Sequence, residues 1–200
     1  MDGTKEKILT ASLPLFALKG YDATGVQEVS DAAAVSKPTL YYYFGNKQGL
    51  FRALWECHAA PFFRNFTSAC IYEPHPSVYE QDVFPQLCTI AKIWLDFTAA
   101  DPLFVRMMLS LEFAPLLSEA FSLTKDIFER RTGILVRFFT AVSRSHGNMK
   151  GKESQLAKSF LALADSLAAD LLHTADGRNF NTALLVSAMV KQFMHGIFSL

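Results

Sequence analysis

Residues 35–47 read Val35-Ser36-Lys37-Pro38-Thr39-Leu40-Tyr41-Tyr42-Tyr43-Phe44-Gly45-Asn46-Lys47, and the reading of this stretch decides the fold. Ser36 is a helix-capping residue type, and Pro38 falls in the first turn, where its missing N–H is not needed. Gly45-Asn46 ends the segment and caps the next helix. The spacing predicts a helix over 37–44. Leu40 and Phe44 are four apart, share one face, and plug a small core. Lys37, Thr39, Tyr41, Tyr42 and Tyr43 are then spread over the remaining surface. Three consecutive tyrosines, two of them outside the core, are unusual for a purely structural helix. Tyrosine hydroxyls, a threonine and a lysine near a helix N-terminus suit phosphate contacts and groove edges. Without further context, the cluster fits a packed aromatic corner of another three-helix module equally well.

Working outward, the first helix opens with Thr4 as N-cap and places Ile8, Ala11, Leu15 and Phe16 on a core face. Gly20 sits where a C-terminal cap is expected, and Pro14 should kink the helix by removing an interior hydrogen bond. A short helix over 26–33 turns Val29 and Ala33 inward, and a tight turn at Ala34-Val35-Ser36 leads into the tyrosine helix. A further helix starts at Lys47 and runs to about Ala60, with Pro61 as a breaker. Two short helices joined by a tight turn and braced by a third make a helix-turn-helix layout.

The residues Lys7-Ile8-Leu9, Leu15-Phe16, Gly20-Tyr21-Asp22-Ala23-Thr24, Val26, Val29, Ala32, Val35 through Lys47, and Leu50 carry a dense, ordered pattern. It resembles the N-terminal signature of TetR/AcrR-family transcriptional regulators and covers about a quarter of the chain. The resemblance implies that Lys37, Pro38, Thr39, Tyr41, Tyr42 and Tyr43 occupy DNA-touching positions of a recognition helix. It implies a phosphate-binding role for Lys47, where the helix dipole adds to neighbouring amides. Thr24 and Gln27 fall at the start of the second helix, which crosses the DNA backbone in that family. Some positions depart from the pattern. Ala34 replaces a usual Gly, so a left-handed backbone there would be mildly strained. Gly25 replaces a Ser/Thr cap, and Gly49 replaces the Glu of a capping box. The Arg-rich arm common ahead of the first helix is missing. None of these removes a DNA-contacting group; together they imply a domain of modest stability.

Charge does not carry the nucleic-acid reading: the net charge is zero, and residues 1–50 hold five lysines against five acids. From Ala32 to Trp55, however, Lys37, Lys47 and Arg52 stand without an acid, a modest basic patch. The cysteines Cys57, Cys70 and Cys88 are odd in number, form no CxxC pair, and are preceded by no apolar leader. They are expected to be buried spectators in a reducing, cytoplasmic setting. The histidines pair with no Cys or carboxylate at a metal spacing, and there is no GxSxG, phosphate-binding glycine loop or carboxylate pair. Neither a cofactor, a metal site nor an enzyme is expected. Even the apolar stretch 180–200 carries polar residues, so no membrane span is expected.

Behind the motif the pattern is helical nearly throughout, with no period-2 alternation. Half of the residues are hydrophobic, 18 of them Phe, and only 19% are charged, so the excess must be hidden in a pocket or an interface. Helices over 153–173 and 179–200 carry apolar stripes on more than one face. Leu156, Phe160, Leu163, Leu167 and Leu171 form one; Ala157, Leu161, Ala164, Ala168 and Leu172 form another. Two apolar faces imply a core and a second covering, met by a two-fold four-helix interface. The aromatic- and methionine-rich middle is either ordinary core or the lining of a pocket; Trp94, Phe97, Met107, Met108 and Phe128 are the residues chosen for pocket walls. Few charges are available inside, so the effector expected there is uncharged and hydrophobic.

The expectation is therefore an all-α chain: a three-helix helix-turn-helix DNA-binding domain over 1–46, then a larger helical effector-binding and dimerisation domain over 47–200. The function expected is a homodimeric repressor that leaves a near-palindromic double-stranded operator when a small hydrophobic effector binds. The alternative is a helical protein-interaction module with a degenerate DNA-binding motif. Operator, effector, and repression against activation are not written in the sequence.

Overall fold

The computed structural model describes residues 3–74, 79–147, 149–173 and 181–196. Among them every regular element is helical: α1 (Gly3–Lys19), α2 (Val26–Ala32), α3 (Lys37–Phe44), α4 (Lys47–Ala69), α5 (Tyr79–Ala100), α6 (Pro102–Glu112), α7 (Glu119–His146), α8 (Glu153–His173) and α9 (Thr182–His195). The expected ends at 179–180 and 197–200 of the last helix, and the expected break at 176–177, lie outside the described residues. No described helix is long and apolar enough to cross a membrane.

Several boundaries are set by residues the sequence singled out. Gly20 adopts a φ of 82°, and its N–H bonds the Phe16 carbonyl at 3.0 Å, closing α1. Asp101 caps α6 by accepting the Phe104 N–H at 3.3 Å, with Pro102 in the first turn. Other expectations need correction. α1 begins at Gly3, so Thr4 lies inside its first turn. Its buried face is Ile8, Leu9, Ser12, Leu13 and Phe16, leaving Ala11 and Leu15 half-buried. α4 does not stop near Ala60: it continues through Pro61 to Ala69. Burial of Phe62, Phe63 and Phe66 offsets the hydrogen bond lost at the proline, since each buried Phe contributes about 1.5–3 kcal/mol.

The chain separates into two compact units, Met1–Pro61 with Asp101–Asp126, and Phe62–Ala100 with Ile127–Leu200. In the first, α1 packs on α2 and α6, and α2 on α3. Its core is an aromatic column. Phe16 stacks on Tyr21 at 5.8 Å, Phe51 meets Tyr21 edge-on at 4.8 Å, and Trp55 meets Phe104 at 4.9 Å. In the second, α5 packs on α8 and α9, and α8 on α9. There Phe160 sits edge-on to Phe193 at 5.3 Å, with Phe139 5.9 Å from Phe193.

Candidate functional site

The α2–α3 corner is built by capping and by one unfavourable backbone. Ser36 Oγ accepts the Thr39 N–H at 3.2 Å and lies 2.7 Å from the Thr39 hydroxyl. Gly25, at the start of α2, provides no side-chain cap. Ala34 adopts a φ of 50°, the left-handed conformation that alanine tolerates at a cost of roughly 1–2 kcal/mol. The cost is held by two backbone bonds, Ala34 N–H to Asp31 O and Val35 N–H to Ser30 O, each 3.0 Å.

On α3 the core and surface divide as the spacing predicts. Leu40 and Phe44 are buried, while Tyr42 is 83% exposed. Lys37, Pro38 and Tyr41 are also exposed, and Thr39 and Tyr43 are half-buried. Tyr42 and Tyr43 touch edge-to-face at 5.2 Å, so each ring limits the other's rotamers. Gln27 is exposed on α2 and donates to Asp31 at 2.6 Å. The exposed part of this constellation offers hydroxyls, an ammonium and an amide, chemically suited to phosphate oxygens and base edges.

Two of the residues singled out face inward instead. Thr24 is buried, and its hydroxyl lies 2.7 Å from the Gly20 carbonyl and 3.2 Å from that of Leu15, tying the end of α1 to the start of α2. Lys47 lies 4.3 Å over the Tyr21 ring and donates to the Asp22 carbonyl at 3.3 Å. Burial, with the Glu119 carboxylate nearby, holds the Tyr21 hydroxyl above its usual range, so the ring stays neutral beneath the ammonium.

Gly49, read from the sequence as a missing capping box and a place for α4 to pivot, sets the α3–α4 junction sterically. A Cβ there would stand 2.0 Å from the Phe44 carbonyl oxygen, closer than any side chain allows. The Asn46 side chain takes over as cap, accepting the Gly49 N–H at 2.7 Å.

In the second unit, Trp94 is buried and Phe97 half-buried; they lie 6.1 Å apart, with Phe62 5.3 and 5.0 Å from them. Phe128 is half-buried on α7. Met107 and Met108 are buried in the first unit. A cavity of about 40 Å³ lies among Leu95, Leu167, Asp170, Leu171, Thr182 and Leu185. It has room for a few waters, not for an effector, and none of the five residues chosen for pocket walls borders it.

The interior of this unit is not free of charge. Arg131 is 2% exposed and grips Asp165 with both terminal nitrogens, Nη1 to Oδ1 at 2.9 Å and Nη2 to Oδ2. Burial pushes the Asp165 carboxyl above its ordinary range, and Arg131 opposes the shift. Sequence reading missed this pair; its only trace is an acid between the buried Ala164 and Ala168. The thiols also differ from expectation, since Cys57 is exposed, Cys88 half-buried and Cys70 buried.

The α3 geometry coincides with a sequence match: residues 8–54 match the family described as bacterial regulatory proteins, tetR family. Over that N-terminal quarter the chain is similar to the TetR family. The HTH-type transcriptional regulator YvkB of Bacillus subtilis is 42% identical over 60 residues, 30% of this chain and 32% of YvkB. The match thus spans about a third of that relative's own length. Among solved structures, the fatty acid degradation regulator FadR of Bacillus halodurans superposes with a TM-score of 0.77 at 16% identity, over 100% of this chain and 99% of that one. FadR of Bacillus subtilis in complex with stearoyl-CoA gives 0.73 at 17% identity, over 96% and 98%. At these identities the likeness to the two structures is one of fold. Both of those proteins are described as regulators.

Proposed function

We propose that this chain is a DNA-binding transcriptional repressor that holds a near-palindromic operator as a homodimer and releases it when a small apolar effector enters the helical body. The observation that carries the reading is α3: its core residues Leu40 and Phe44 are sealed, and Lys37, Tyr41 and Tyr42 are turned to solvent. Lys37, Pro38, Thr39, Tyr41, Tyr42 and Tyr43 contact the major groove and its edges, and Gln27 the flanking backbone. Thr24 supports the corner from within, at the entry to the helix that crosses the DNA backbone. Lys47 reaches phosphate by leaving the Tyr21 face.

The dimer reading is supported by the way α8 divides into a buried and a half-exposed apolar stripe. Ala157, Leu161, Ala164 and Ala168 are buried, whereas Leu163, Leu167 and Leu171 are half-exposed, and Leu184 on α9 is 67% exposed. Two such faces meeting across a two-fold axis cover both. Trp94, Phe97 and Phe128 are the wall residues retained for the effector, with Met107 and Met108 packed in the other unit. A DNA-binding regulator of this kind works in the cytoplasm.

Coupling runs along α4, which starts at Lys47 and is continuous to Ala69. Effector binding displaces it and changes the spacing of the two recognition helices. Selecting bound fragments from a genomic DNA pool, then footprinting them with and without apolar ligands, tests the whole reading. Protection of two half-sites about one helical turn apart supports it. Binding without sequence preference, or none at low salt, refutes it.

A further inference from the structure

Among the described residues of the second unit, the Trp94 indole is a buried donor left unused. Trp94 is 3% exposed, and its indole Nε1 makes no hydrogen bond. A buried N–H without an acceptor is costly, and natural interiors rarely tolerate one without a purpose. Its surroundings are specific. Phe62 from α4 lies edge-on at 5.3 Å, Phe97 from α5 is tilted at 6.1 Å, and the Arg131 guanidinium from α7 lies 5.0 Å over the indole. That guanidinium is closed off by Asp165 from α8 through its two-pronged contact. The locality therefore combines apolar walls, a charge pair that sums to zero, and a single unspent donor.

Ligand classes fare differently in such a place. A carboxylate would bring an uncompensated negative charge beside a pair that is already neutral, or would strip Arg131 from Asp165 and leave that acid buried alone; both are expensive. A hydrocarbon would leave the indole N–H as it is. A neutral oxygen acceptor gains a partner without disturbing the pair.

We propose that Trp94 Nε1 selects the effector, whose class is an apolar molecule bearing a neutral acceptor oxygen, such as a ketone, ester, amide or lactone carbonyl, while the closed Arg131–Asp165 pair rejects free carboxylates. This rests on reading the body as an effector site and narrows what that site accepts. Trp94 is the specificity-determining residue. Arg131 and Asp165 act by setting the local charge to zero.

The test uses the full chain and two matched probe sets: acetophenone, ethylbenzene and benzoate; and methyl decanoate, decane and decanoate. Calorimetry or the ligand-induced shift in unfolding temperature gives the ranking within each set. The carbonyl compound is expected to bind roughly ten-fold more tightly than its hydrocarbon, the worth of one buried hydrogen bond, with the carboxylate weakest. Trp94→Phe keeps an aromatic ring but removes the donor, so the ratio of carbonyl to hydrocarbon should fall to near one. Asp165→Asn leaves the Arg131 charge unpaired, and the carboxylate should rise to first place. Should that variant fail to fold, the Trp94→Phe ratio decides alone. Equal affinity for carbonyl and hydrocarbon, a preference that survives Trp94→Phe, or a carboxylate ranked first in the wild type overturns the proposal while leaving the body an effector site. If no probe of either set binds, the effector-site reading falls with it.

Discussion

Tyr42 is 83% exposed and Arg131 is 2% exposed. A large ring faces water in one compact unit, and a guanidinium is buried in the other. Each reverses the usual burial of its residue type, and such reversals are more informative than any well-placed leucine. They differ in how they are held. Tyr42 is fixed by local geometry, because Leu40 and Phe44 on the same short helix decide which face is sealed. Arg131 depends on a partner 34 residues away and on an indole from a third helix. An outward exception is written in neighbouring residues; an inward one is written across the fold.

The sharpest way to break this contrast is Asp165→Ala, which strands Arg131. Chemical unfolding should show a loss of about 3–5 kcal/mol, whereas replacing both partners together with Arg131→Met and Asp165→Leu should recover most of it. A loss below about 1 kcal/mol would mean that the pair behaves as a solvated surface contact. The counterpart on α3 is Lys37→Ala with Tyr42→Ala. DNA affinity should fall by ten-fold or more and the salt slope should flatten, with stability unchanged within about 0.5 kcal/mol. If the double variant unfolds instead, Tyr42 is structural and the two residues are not opposites.

Smaller effects sharpen the local side. Ser36→Ala removes the α3 cap and should cost about 1 kcal/mol by thermal unfolding. Ala34→Gly should stabilise by about 0.5 kcal/mol, the relief of left-handed strain less the added chain entropy. The thiols give a covalent readout of the same inside–outside division. Burial pushes Cys70 up to about 12 from 9.0, so its contribution to stability is complete below pH 9.0 and is lost as pH rises through about 12. Near neutral pH, iodoacetamide should therefore modify the exposed Cys57 in the native protein and spare Cys70, which becomes reactive only on unfolding.

These cases show why some of the molecule was legible and some was not. Capping residues, turn glycines and the four-residue spacing of Leu40 and Phe44 act within one helical turn, so α2 and α3 could be drawn from sequence alone. Ala34 could even be expected to be strained, and it is. Pro61 misled because its local penalty is overruled by phenylalanines that bury themselves in the fold. Thr24 and Lys47 occupy family positions, but their side chains answer to carbonyls and a ring that only the fold brings near. The Arg131–Asp165 pair and the unspent Trp94 donor have no local signature at all.

Gly49 has a consequence beyond packing. With the Phe44 carbonyl oxygen 2.0 Å from where a side chain would start, no acidic residue can be installed there without moving the junction. The first turn of α4 carries no carboxylate of its own, and the negative charge beside it is that of Glu119, which accepts a hydrogen bond from Gln48. A steric rule thus enforces an electrostatic one. Mutational drift at this position cannot gradually tune how the corner greets an anion; it can only keep the arrangement or dismantle the joint.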